Sequence, residues 1–211
     1  MQEIELKFFV ADPVLLRERL AAVGATAAAA AEAHEDIYFR HPCRDFRETD
    51  EALRIRYLNG QPLVTYKGPR ELAEQVSQMV EQRGPAANLT ANAAVKVRRE
   101  LEWPLGPSDP RGESMQTLLV ALGFSEVARV VKRREVLRVP FGGLQVTVVI
   151  DQVDSLGWYA EVEVLIEEDN ERAAAVDVIS RLADALGLQH AERRSYLELL
   201  LRQLGSEDAR G

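Results

Sequence analysis

The stretch Gln2-Glu3-Ile4-Glu5-Leu6-Lys7-Phe8 decides the reading of this chain. Charge and hydrocarbon alternate there residue by residue. In a β-strand successive side chains point to opposite faces, so Glu3, Glu5 and Lys7 share one face and Ile4, Leu6 and Phe8 the other. The polar face therefore carries two carboxylates and an ammonium in a row, where a half-buried strand needs only scattered polar groups.

The same period of two recurs along the chain. Leu53-Arg54-Ile55-Arg56-Tyr57 aligns Arg54 with Arg56, and Leu63-Val64-Thr65-Tyr66-Lys67 aligns Leu63, Thr65 and Lys67. Lys96-Val97-Arg98-Arg99-Glu100-Leu101-Glu102 aligns Lys96, Arg98, Glu100 and Glu102. Lys132 lines up with Arg134, Val148-Val149-Ile150-Asp151 ends on an acid, and Glu161 lines up with Glu163. Two arrangements account for this. One is an antiparallel sheet with a wet face whose opposite charges pair across strands. The other is a barrel with a charged interior. Small barrels fill their interior with apolar side chains, so a charged lumen is costly unless its charges meet one another, a metal or a ligand. The runs of like charge within single strands favour the barrel, because a polyanion and its metal call for such runs and a wet sheet does not.

Taken in order, these pieces resemble the CYTH superfamily, the triphosphate tunnel metalloenzymes, and within it the class IV adenylyl cyclases. Glu3-x-Glu5-x-Lys7 is the signature. The run from His34 through Asp36 and Tyr38 to Arg40, then Thr49-Asp50-Glu51 and Thr65-Tyr66-Lys67-Gly68-Pro69, is similar to the cyclase branch. Lys96 to Glu102, Lys132-x-Arg134, Asp151, Glu161-x-Glu163 and Ser195-Tyr196-Leu197-Glu198 follow in the family's order. The resemblance implies an α+β fold, a closed antiparallel barrel of about eight strands with helices packed outside. It implies Mg²⁺ or Mn²⁺, a triphosphate as substrate, and a homodimer.

Roles then follow from charge and position. Glu3, Glu5, Glu161 and Glu163 are the candidate metal ligands, since hard cations take carboxylate oxygens. Asp151, Glu100 and Glu102 are further ligands or else hold basic neighbours in place. Arg54, Arg56, Lys67, Lys96, Arg98, Lys132 and Arg134 are the candidate triphosphate binders. Lys7, with Glu5 and Glu161, is the candidate catalytic group. In a hydrolysis it orients the attacking water or serves as base if the tunnel lowers its pKa. The reaction implied is conversion of ATP to cyclic AMP and pyrophosphate. The alternatives are hydrolysis of tripolyphosphate, thiamine triphosphate or a nucleoside triphosphate, and a polyphosphate- or nucleotide-binding protein without catalysis.

Composition is consistent with this. A chain of 211 residues with 46% hydrophobic content supports one domain with a sizeable core. A net charge of −8 argues against nonspecific nucleic-acid binding. No apolar run approaches the roughly 20 residues that span a bilayer. One cysteine, Cys43, and a first strand without a leader point to the cytoplasm. His34, His41 and His190 have no metal-ligand spacing, and the first two read as surface or rim residues.

Helices are expected over 12–23, with Asp12 as N-cap and Pro13 first in the helix, over 108–122, 170–186 and 192–204. The alanine-rich 25–33 favours helix by propensity, but its place in the order makes it a strand leading into Asp36 and Tyr38. Residues 1–204 read as one domain, with 205–211 a mobile polar tail. Within it, 70–94 is an insert opening on an amphipathic helix over 71–82, either a surface excursion or a lid over the tunnel.

Overall fold

The computed structural model describes residues 2–69 and 96–208, so the insert at 70–94, its helix and any lid it forms lie outside the described residues. The chain begins with β1 (Gln2–Phe9) and α1 (Pro13–Ala22), then β2 (Thr26–Ala27), β3 (Glu32–Arg40), β4 (Ala52–Leu58) and β5 (Gln61–Lys67). After the insert come β6 (Lys96–Arg98), β7 (Glu100–Pro104) and α2 (Glu113–Ala121). A long hairpin, β8 (Ser125–Phe141) and β9 (Leu144–Val153), leads to β10 (Gly157–Ile166), α3 (Arg172–Ala185) and α4 (Tyr196–Asp208). The last helix runs four residues beyond its expected end at Leu204. The alanine-rich stretch is strand at Thr26–Ala27, which pairs with β8, and again from Glu32, where β3 begins.

Local signals explain the boundaries. The Asp12 carboxylate accepts from the amides of Val14 and Leu15, both at 3.0 Å, and Pro13 follows it, so the orphan amides of the first turn are satisfied. Asn59-Gly60 takes positive φ at both residues, the geometry that lets a two-residue turn join β4 to β5.

All strand pairs are antiparallel, and the hydrogen-bonded order is β6-β1-β10-β9-β8-β3-β4-β5-β7. The sheet curls until its two ends are carried by one stretch of chain, for β6 and β7 are separated only by Arg99. The expected closed barrel is therefore corrected to an open one. Closure needs the strand 96–104 to be paired on both edges along its length. Instead its first half pairs only with β1 and its second half with β5.

Apolar faces point outward from this sheet, toward helices. Ile4, Leu6 and Phe8 of β1, Val148 and Ile150 of β9 and Val162 and Val164 of β10 pack with Leu16 and Leu20 of α1 and with Val176, Ile179 and Leu182 of α3. Ile37, Phe39, Ile55 and Val64 form a second cluster with Leu119 of α2. Each such side chain contributes about 1.5–3 kcal/mol by leaving water. With both clusters on the outside, the charged faces are left to line the inside.

Candidate active site

The inner faces enclose a cavity of about 1230 Å³. Glu3, Glu5, Lys7, Arg54, Arg56, Lys67, Glu100, Glu102, Lys132, Arg134, Glu161 and Glu163, twelve residues singled out from the sequence, all line it. Asp151 is fully buried behind them. Lys96 and Arg98 stand opposite Glu5 and Glu3 in the β1–β6 register.

Arg54 and Arg56 of β4 and Lys132 and Arg134 of β8 flank β3, whose Asp36 anchors the first pair. Asp36, 1% exposed, accepts from Arg56 Nε at 2.7 Å, from Arg56 Nη2 at 2.9 Å and from Arg54 Nη1 at 3.2 Å. Burial works against its charge, but Arg54 and Arg56 outweigh burial and hold the carboxyl far below the usual range. Tyr38 Oη also accepts from Arg54, at 3.2 Å. Glu100 takes Lys67 at 2.8 Å and Arg54 at 3.4 Å, and Thr65 donates to Glu102 at 3.1 Å.

Asp151 does the same for β8. Arg134 reaches its two oxygens at 2.8 and 2.6 Å, Lys132 approaches at 3.2 Å, and the Tyr196 hydroxyl donates at 3.0 Å. Its oxygens are thus spent on cations, and so are those of Glu100. In this structure Asp151 and Glu100 hold basic neighbours in place. Lys132 is pushed down to about 8, by burial first and by Arg134 second.

The carboxylates gather on β1 and β10. Glu5 faces Glu163 across the pair and Lys7 faces Glu161, whose Oε2 accepts from Arg134 at 2.6 Å. Burial, then Glu3 and Glu161, push Glu163 up to about 8. Burial also lifts Glu3 to about 7 against the pull of Lys67. Burial is the main cause of both raised values, and neighbouring carboxylates add to it.

The residues present fit a hard divalent cation in donor type and in charge. Among the described residues no three carboxylate, imidazole or thiolate groups are close enough to hold a metal by themselves. Mg²⁺ characteristically uses one or two carboxylates and completes its shell with waters and substrate phosphates. The described lining mixes both signs, with eleven Lys and Arg and ten Asp and Glu, and Asp36 and Asp151 lie buried behind it. A bound divalent cation would add positive charge for a polyanion.

Sequence reasoning missed Asp36, Tyr38, Thr65 and Tyr196. Asp36 and Tyr38 lie within the family run but were given no role, because His34-Glu35-Asp36 breaks the charge alternation. His34, expected at the rim, is instead 5% exposed. It shares the inner face of β3, its Nε2 lies 3.0 Å from Glu32, and burial pulls it down to about 4. His41 packs its ring against Phe46 and Phe124.

Residues 1–196 match the CYTH domain. The chain is 33% identical to a protein of Methanocaldococcus jannaschii, "Putative adenylate cyclase MJ0240", over 94% of this chain and 98% of that one. The structure of PH1819 from Pyrococcus horikoshii superposes with a TM-score of 0.72 at 36% identity, covering 95% of this chain and 99% of that one. HpAC1 of Hippeastrum, for which a dominant triphosphatase activity is stated, shares the fold at a TM-score of 0.59 and 15% identity, over 95% and 96% of the two chains.

Proposed function

This chain belongs to the CYTH family, and on that premise we propose that it is a metal-dependent phosphoryl-transfer enzyme that converts ATP to cyclic AMP and pyrophosphate inside the tunnel. The observation that carries the reading is the pair of unlike walls. One presents Arg54, Arg56, Lys132 and Arg134, fixed by Asp36 and Asp151. The other presents Glu3, Glu5, Glu161 and Glu163 with raised or crowded charge. A triphosphate and a divalent cation supply together what each wall lacks. The name of the M. jannaschii relative supports cyclisation among the reactions such a site could host.

Glu3, Glu5, Glu161 and Glu163 would hold Mg²⁺ or Mn²⁺, which when bound neutralises phosphate oxygens and polarises phosphorus. Phosphoryl transfer asks mainly for positioning and charge neutralisation. Arg54, Arg56 and Arg134 offer planar forks to phosphate oxygens, and Lys67 and Lys132 offer point charges. The ribose 3′-hydroxyl gives up its proton to solvent and its oxygen attacks the α-phosphorus; the new O–P bond forms as the bond to the bridging oxygen breaks and pyrophosphate leaves. The guanidinium groups stabilise the charge that grows on it, at little reorganisation cost because Asp36 and Asp151 already hold them. Lys7, nearly enclosed and opposite Glu161, orients the attacking oxygen.

Hydrolysis of a triphosphate is the second reading. The groups named above bind phosphate and not the base, and the fold shared with HpAC1 hosts that reaction. The test is product analysis with ATP, tripolyphosphate and thiamine triphosphate, each with Mg²⁺ or Mn²⁺, and Glu161→Gln as control. Cyclic AMP with pyrophosphate, lost in the variant, is the expected result. Orthophosphate without cyclic nucleotide would replace cyclisation by hydrolysis. Binding without turnover would leave a nucleotide- or polyphosphate-binding protein.

A further inference from the structure

The tunnel is not built by strands alone. Residues ahead of α4 dock on β1 where Lys7 sits: the Glu192 amide donates to the Lys7 carbonyl at 2.6 Å, and Ala191 bridges to Phe8. Ser195 and Glu198 then form a reciprocal cap. The Ser195 amide donates to the Glu198 carboxylate at 2.6 Å, and the Glu198 amide donates to Ser195 Oγ at 3.1 Å. The cap fixes the first helical residue, Tyr196, with its ring inside the cavity and 6% exposed.

That ring meets two ammonium groups. Lys7 Nζ lies 4.4 Å from its centroid and Lys132 Nζ 5.0 Å. The hydroxyl donates to Asp151, the carboxylate that also holds Lys132 and Arg134. Tyr159 packs its ring against Tyr196 at 5.2 Å, and Phe9 backs Tyr159 at 5.6 Å, so the tyrosine cannot swing away without disturbing two further rings. An aromatic face attracts desolvated cations without neutralising them, whereas a carboxylate in the same place would take the charge meant for phosphate.

We propose that Tyr196 is a positioning residue of the phosphate site, its ring holding the Lys7 and Lys132 ammonium groups in place where the residues ahead of α4 dock on β1. This rests on the reading of the tunnel as a triphosphate site. Tyr196 does not itself take part in the reaction.

The test uses the full chain with Mg²⁺ and tripolyphosphate as probe, measured by calorimetry alongside turnover of ATP and tripolyphosphate. Tyr196→Phe keeps the ring and is expected to hold tripolyphosphate affinity within about threefold of wild type. Tyr196→Leu removes the ring and is expected to weaken binding and lower kcat by about tenfold each, on the scale of desolvated cation–π contacts. Ser195→Ala, which loosens the cap and leaves the ring chemistry alone, should move both in the same direction by less, and it keeps the test open should the leucine variant fail to fold. If Tyr196→Leu unfolds at lower temperature yet shows wild-type affinity, KM and kcat, the residue is only structural and the proposal falls. Equal losses in the phenylalanine and leucine variants would also overturn it, since the hydroxyl and not the ring would then matter. A wild-type protein that binds no tripolyphosphate would instead remove the reading on which the proposal stands, and the proposal with it.

Discussion

Replacing Asp36 tests how the cationic wall is held. The carboxylate is 1% exposed, and its partners Arg54 and Arg56 are 7% and 11% exposed at the side chain. Asp36→Ala would leave two largely buried guanidinium groups facing each other without their shared counter-ion. Removing one partner of a buried ion pair costs about 3–5 kcal/mol, against about 0–1 kcal/mol for an exposed pair. For a chain of this size each kcal/mol moves Tm by about 2–4 °C, so the variant should melt at least about 6 °C lower. Thermal unfolding with urea titration measures this directly. A second arm separates charge from shape. With Mg²⁺ and tripolyphosphate present, phosphate oxygens should replace the missing carboxylate, so the variant should gain more stability from the ligand than wild type does. Its carboxyl is held below the usual range, so the pair's contribution is present above the ordinary carboxylate value of about 3.9 and is lost as pH falls below it. A loss under about 1 kcal/mol at neutral pH, with no extra gain from ligand, would show that Arg54 and Arg56 do not depend on Asp36.

Three further outcomes are expected. Glu163, raised by burial to about 8, and Glu3, raised to about 7, favour the folded state while protonated, so metal-free protein should lose stability as pH rises from about 4.5 through 8. Glu163→Gln should flatten that slope, and an unchanged melting profile would contradict it. His34, lowered by burial to about 4, should stay neutral at pH 6; its ring proton resonances followed by NMR should move only near pH 4, and a midpoint near 6.5 would place the ring in solvent. Ser195→Ala removes one half of the cap on α4 and should cost about 1 kcal/mol in urea unfolding, with amide exchange rising first in that helix.

Much of this architecture was legible because the charged faces repeat with the strand period. Glu3-x-Glu5-x-Lys7, Arg54-x-Arg56, Lys132-x-Arg134 and Glu161-x-Glu163 all point inward, as their spacing predicts. Asp151, Glu100 and Glu102 were ambiguous for a physical reason. A carboxylate's strand position gives its face, but its partner comes from contact with a strand far away in sequence, as Arg54 donating to Glu100 shows. Asp36 was overlooked because it stands alone among mixed residues and makes no run of like charge. Tyr196 lies on a helix, where a search for period two has no purchase, although Ser195-x-x-Glu198 in the sequence already announces the cap that aims it. Open and closed barrels have the same alternation, so the split of β6 from β7 leaves no trace in it.

That split gives the molecule a seam. The ladder joining β6 to β1 has three residue pairs, Glu3 with Arg98, Ile4 with Val97 and Glu5 with Lys96, and it fastens the end of the sheet that carries the carboxylates. The other end is fastened by β7 on β5, beside Lys67. A ligand that engaged Lys67 on one side and a cation held by Glu5 on the other would lie across the gap like a rivet across a split ring. Gripping such a ligand and tightening the ring would then be one mechanical event.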